Sequence, residues 1–277
     1  MARRLLVPLT ACAAVLMLAA GPLVPAPEAQ AAATGTITGR VRLMSVAPAN
    51  SIIRMGADPL CSKANAGKRL TQEIVLRSAD GGLANAFVDL QGTFPATQVP
   101  ATPVAIDQRG CIYVPRVVGA RVGQTLQVTN SDPTAHNVHS LSSRGNAFNV
   151  SQPRAGMKST FPLENDDVVM RIKCDLHSWM ISYVGVVAHP YFGVSGTDGA
   201  FRITGVPAGR HTIRVWHERY GRLMKTVDVK AGATAAVDFA YTGTEQPSAA
   251  GIQDLVVPGH EGHKDVLATK TTKITKG

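Results

Sequence analysis

Aromatic residues make up 5% of the 277-residue chain and charged residues 17%. Basic residues exceed acidic ones, for a formal charge of +9 at pH 7, but they are scattered rather than massed. With so few rings between them they give nucleic-acid binding little support, and better suit an acidic partner or an anionic surface. After Leu23 no stretch approaches the ~20 apolar residues that a membrane span needs. Helical periodicity is almost absent, which leaves strands to build the fold. Cysteine is scarce, with four residues at positions 12, 61, 111 and 174.

What is present begins at the N-terminus. Arg3 and Arg4 precede an apolar run from Leu5 to about Leu23, and Ala29, Ala31 and Ala33 follow. A basic start, an apolar stretch and a small-x-small exit describe a secretory signal peptide over residues 1–33, cleaved after Ala31 or Ala33. The product would be periplasmic or extracellular. Its roughly 245 residues suffice for one large or two ordinary domains. An uncleaved anchor is the alternative, disfavoured by Pro8 and Pro22 near the ends of the run. Cys12 falls too early for a lipoprotein box, and the arginine pair is only a weak twin-arginine hint. Loss of Arg3, Arg4 and Glu28 takes the charge to +8. Three cysteines then remain, an odd number for an exported protein. Pairing Cys61 with Cys111 leaves Cys174 as a thiol that needs a purpose.

Short period-2 runs recur over residues 36–43, 86–90, 125–129, 168–172, 183–187, 212–216, 226–229 and 235–239. Gly, Pro, Asn and Asp separate them, so the expected class is all-β, built as sandwiches. From Gly243 the pattern is lost, and residues 243–277 read as a flexible tail with little to pack. His260 and His263 on that tail carry no expected role.

The chemistry is concentrated in Cys174-x2-His177-x2-Met180, with Asp132, His136, Asn137 and His139 some forty residues upstream. A thiolate, an imidazole and a thioether so spaced can bend around one ion, with His136 arriving from a neighbouring strand end. A soft thiolate with two imidazoles suits both copper oxidation states, and a weak axial thioether tunes the potential. Zinc competes for Cys and His but takes thioethers poorly. A plain core of Cys, His and Met and a redox-sensing thiol are the further alternatives. His139 is an odd number of positions from His136, so on a strand it faces away from the site.

Tyr113-Val-Pro115, the run Val122 to Asp132, His136-Asn-Val138 and the Cys174 loop together resemble the cupredoxins, the type 1 blue copper proteins. The short loop is most similar to that of amicyanin. The resemblance covers residues 100–187 and implies a Greek-key β-sandwich holding one type 1 copper per chain. It implies His136, Cys174 and His177 as equatorial ligands, Met180 as the axial one, and Asn137 knitting the two ligand loops. It also implies that His177 exposes a ring edge as the electron port, with Leu176 and Trp179 beside it. Ser178 departs from the Pro common after that His.

A second resemblance surrounds the first. Asp198-Gly-Ala-Phe201 and Val206-Pro-Ala-Gly209 are similar to motifs of the carboxypeptidase-regulatory-like domain, a prealbumin-like sandwich. Gly35 to Val41 and Ala86 to Leu90 match that domain's opening strands. The expected organisation is therefore one sandwich, residues 34–99 and 188–242, interrupted by the cupredoxin-like residues 100–187. Two sandwiches in tandem are the alternative. His189 and His217 are read as interface or core groups, with a second metal site as the rival reading. The expected function is one-electron transfer between redox partner proteins, without catalytic residues. A copper chaperone or store, and a non-redox interaction module, are the competing classes.

Overall fold

A computed structural model describes residues 33–247. The expected leader, except Ala33, and the tail beyond residue 247 lie outside them. The chain begins with β1 (Thr34–Leu43), a short helix α1 (Pro59–Ala64) and β2 (Phe87–Gln91). The middle supplies β3 (Val104–Gln108), β4 (Tyr113–Val114), β5 (Val117–Arg121), β6 (Thr125–Asn130) and β7 (His136–Ser140). It continues with β8 (Asn149–Gln152), β9 (Lys158–Pro162), β10 (Asp167–Lys173) and β11 (Ile181–Val187). The last part adds β12 (Phe192–Val194), β13 (Ala200–Pro207), β14 (Gly209–His217), β15 (Gly221–Val229), β16 (Thr234–Ala236) and β17 (Phe239–Tyr241).

The fold is all-β, as the alternation of apolar and polar residues implies. In β6 the pattern of buried and half-buried residues follows the pleat residue by residue. The middle strands form two sheets, β5-β11-β10-β7-β8 and β4-β3-β6-β9. Leu126, Val128, Val138, Met170 and Ile172 fill the core they share. The outer strands form β13-β1-β16, with β17 also on β1, and β12-β2-β14-β15. Ile37, Leu43, Leu90, Ile213 and Phe239 belong to a second core. Strands on either side of the middle segment are partners in space: Ile37 pairs with Ile203, and Leu90 with Ile213.

A third apolar cluster centres on Phe87, Val117 and Val187, with Phe192 and Trp216 packed against it. It joins β2 of the outer set to β5 and β11 of the middle set. The approach is close because β5 and β11 carry glycines there. A Cβ at Gly119 would stand 2.4 Å from the Phe192 ring, and one at Gly185 2.5 Å from Phe87. The largely buried Arg116–Glu218 ion pair adds a polar tie between the two sets. Removing either partner would leave a buried charge uncompensated.

One expected strand is corrected. Residues 235–239 form no single strand but the ends of β16 and β17, which pair with β1 on either side of Gly39. Between them the backbone turns in so far that a Cβ at Gly39 would lie 1.9 Å from the Val237 carbonyl oxygen. Asp238 Oδ1 accepts from the Arg40 N–H at 2.8 Å and takes the place of a ladder bond.

His217, at the end of β14, is fully buried against Tyr220 and Tyr241. Its Nδ1 lies 3.2 Å from the Arg219 N–H, and its Nε2 has no hydrogen-bond partner among the described residues. Burial, aided by Arg116 and Arg219, pushes its pKa down to about 3. In the unfolded chain the ring protonates near pH 6.5. A depressed folded pKa gives stability that is present above the unfolded pKa and is lost as the pH falls. His217→Phe should therefore lose less stability than the wild type between pH 7 and 4.5, by about 2–3 kcal/mol. Urea unfolding at the two pH values checks this, and parallel losses would contradict it.

Candidate metal centre

The site lies at one end of the middle sandwich, where β6 turns into β7 and β10 into β11. Asn130, the last residue of β6, shapes the first turn. Its amide donates to the Thr134 and Gln152 carbonyls at 2.9 Å each and accepts from the Asp132 N–H at 2.9 Å. Asp132 in turn accepts from the Gly110 and Cys111 N–H groups at 2.7 Å each. His136 then opens β7 with its Nε2 3.0 Å from Asp132 Oδ2.

The second loop closes on itself. The Cys174 N–H donates to the Met180 carbonyl at 3.2 Å, and the Met180 N–H to the His177 carbonyl at 2.9 Å. Asn137 binds the loops together: its backbone N–H lies 3.4 Å from Cys174 Sγ, and its side chain meets Asp175. His139 points to the other face and pairs with Asp175, outside the cluster.

His136, Cys174 and His177 offer ligand atoms that lie within 4.8 Å of one another. The two Nδ1 atoms are 3.0 Å apart, and Cys174 Sγ is 3.7 Å from His177 Nδ1. Met180 is fully buried in the core cluster that contains Cys174. Both imidazoles turn Nε2 outward onto a carboxylate: His136 onto Asp132, and His177 onto Asp58 at 2.9 Å.

That orientation has a chemical consequence. A carboxylate accepts only, so each Nε2 carries a proton and Nδ1 is the atom each ring turns toward the cluster. Two ring nitrogens and a sulfur then face one another out of water, where a metal cation could take the place of the protons they share. Burial opposes a charge on His136, but its hydrogen bonds to Asp132 and Cys174 outweigh it and raise the pKa to about 9. Burial likewise opposes the Cys174 thiolate, yet hydrogen bonds from His136 and the Asn137 N–H hold its pKa below the usual range. Burial is also overcome at Asp132, where the bonds from His136, Cys111 and Gly110 keep the carboxyl ionised. The donor set fits a soft, low-coordinate ion such as copper.

Cys61 and Cys111 form a disulfide. It lies against the site: Cys61 Sγ is 3.8 Å from His177 Nε2. Both sulfurs are committed to each other, so neither is a ligand. Cys174 is the free cysteine among the described residues, and it is buried.

The expected exposure of the His177 ring edge is corrected. His177 is 4% exposed, not edge-on to solvent. Asp58 covers its Nε2, and Asp58 also caps α1, accepting from the Leu60 and Cys61 N–H groups at 2.8 and 2.9 Å. Trp179 packs on the same imidazole, with ring centroids 5.0 Å apart, and donates from Nε1 to the Cys111 carbonyl at 2.8 Å. Leu176 is well exposed.

Sequence reasoning gave neither carboxylate a role. Asp132, four residues before His136, was within reach of an i,i+4 reading. Asp58 carried only a helix-cap signal before Pro59 and lies 119 residues from His177. His189 packs against Phe94 and Tyr191. With His217 in the outer core, neither belongs to the cluster.

No family model matches the chain, and no curated protein matches it. Among solved structures, a purple cupredoxin from Nitrosopumilus maritimus is 24% identical, over 30% of this chain and 98% of its own, with a TM-score of 0.27. A copper-containing nitrite reductase from Thermus scotoductus is 18% identical over 34% of this chain, with a TM-score of 0.28. This chain spans only 24% of that reductase. An amicyanin variant in its Cu(I) form is 17% identical over 36% of this chain and 97% of its own, with a TM-score of 0.28. The resemblance of the outer strands to a carboxypeptidase-regulatory-like domain finds no support in these comparisons.

Proposed function

We propose that the chain is an exported one-electron carrier that binds a single copper ion through His136, Cys174, His177 and Met180. The convergence of two carboxylate-anchored imidazoles on one buried thiol carries this reading. Copper bound there would supply a one-electron couple. The chain's own residues do the rest. Asp132 and Asp58 hold the imidazole rings with Nδ1 toward the cluster, Asn137 donates to the sulfur, and the closed Cys174–Met180 loop limits rearrangement when charge changes. Ligands that are all at least nine-tenths buried favour an electron carrier over an enzyme, since a substrate has no approach to them. Export is supported by the Cys61–Cys111 disulfide, which persists in oxidising compartments. The excess of basic residues suits an acidic redox partner. With His177 covered, we assign electron exchange to the partly exposed Trp179 ring packed on it.

The closed edge of His177 is also what a copper store would show. Voltammetry of the copper-loaded protein separates the two. A reversible one-electron wave is expected, whereas uptake of Cu(I) without cycling would favour the store. Met180→Leu conserves volume and keeps the thiolate, so its visible absorption should survive while the potential rises. A lowered potential would contradict the axial role of Met180.

A further inference from the structure

The segment between β1 and β2 leaves the outer sandwich and lies across the end of the middle one. Met55 and Cys61 belong to the middle core, whereas Val75 and Leu83 belong to the outer. Where the segment crosses the metal centre it presents Asp58. One oxygen of this carboxylate caps α1 through two backbone N–H groups. The other accepts from His177 Nε2 at 2.9 Å and from Thr134 Oγ1 at 3.0 Å. The helix is pinned in turn by the disulfide to Cys111, whose N–H holds Asp132. Thus one covalent link fixes both carboxylates, and with them both imidazoles.

From this placement we propose that Asp58 is a positioning residue of the metal centre: it orients His177 and supplies negative charge that favours the more highly charged state of the ion. The proposal rests on the copper reading above. Three features separate this role from helix capping alone. Capping uses one oxygen, and the second is aimed at the imidazole. His177 gains an acceptor that keeps Nδ1 free to bind a metal. The pair is also partly withdrawn from water, with His177 buried and Asp58 half-buried, and a fixed charge there acts more strongly than at the open surface. Partners that orient a ligating His typically alter metal affinity 10–100-fold when removed. Because Asp58 adds charge, its removal should weaken Cu(II) more than Cu(I).

Asp58→Asn tests this, because the asparagine oxygen can keep the two helix N–H groups while its NH2 replaces the oxygen that faces His177, so the cap stays and both the charge and the Nε2 acceptor are lost. The variant should keep its visible absorption and melting temperature. Its preference for Cu(II) over Cu(I) should fall about tenfold, equivalent to a potential ~59 mV higher. Asp58→Ala should show the same rise in potential, free the ring and also lose the helix cap. In metal-free protein, nitrogen-15 spectra should show one Nε2–H tautomer of His177 in the wild type, its loss in Asp58→Asn, and exchange between tautomers in Asp58→Ala. An unchanged potential in Asp58→Asn, with absorption retained, would overturn the proposal. So would a single His177 tautomer in Asp58→Ala. Failure of the wild type to take up copper would instead sink the copper reading, and the metal-free spectra would still decide whether Asp58 positions the ring.

Discussion

Cys174→Ala is expected to abolish any intense visible band of the Cu(II)-loaded protein and to replace a narrow hyperfine splitting by a wide one. The thiolate is the one anionic ligand among the three converging donors, and it is the softest of them. Its loss should cost at least ~100-fold in copper affinity, more than the removal of a partner behind a ligand. The fold should survive. A single sulfur is removed from a core that also holds Leu126, Val128, Met170 and Ile172, so the stability loss should be about 1 kcal/mol. Copper titration followed by absorption and EPR, with the wild type alongside, makes the measurement. A band that persists in the variant would remove Cys174 from the site.

Replacing Cys61 and Cys111 together by Ala should produce the largest loss of stability. The bridge closes a loop with a sequence separation of 50. A loop of that length restricts the unfolded chain by roughly 4 kcal/mol in the entropy model. For a domain of this size that corresponds to a melting temperature about 10 °C lower. The effect should extend to the metal centre. The Cys61 N–H holds Asp58 and the Cys111 N–H holds Asp132, so both anchors of the imidazoles loosen when the bridge is gone. Copper binding should weaken alongside stability, at a temperature where the variant is still folded. Calorimetry and a copper titration on the same sample test the two parts. A stability loss with unchanged copper affinity would show that the anchors stand without the bridge.

The all-β class was legible because strands that bury one face must alternate, and runs such as β6 do so without interruption. The even run at 235–239 misled for a physical reason. Alternation reports which side chains are buried, not where the backbone must bend to clear Gly39. The Cys61–Cys111 pairing followed from counting, once Cys12 was assigned to the leader and Cys174 was needed as a thiol.

By itself the sequence determined the all-β class and the donor types. A loop of seven residues carries its Cys, His and Met wherever it goes, so their nearness to one another was written in their spacing. Only the tertiary structure decided how the centre is surrounded. His177 is covered because a segment from far earlier in the chain crosses over it, and Asp58 meets its Nε2 because the disulfide and the α1 cap hold that segment there. Such contacts depend on long-range packing, and no local periodicity or propensity encodes them.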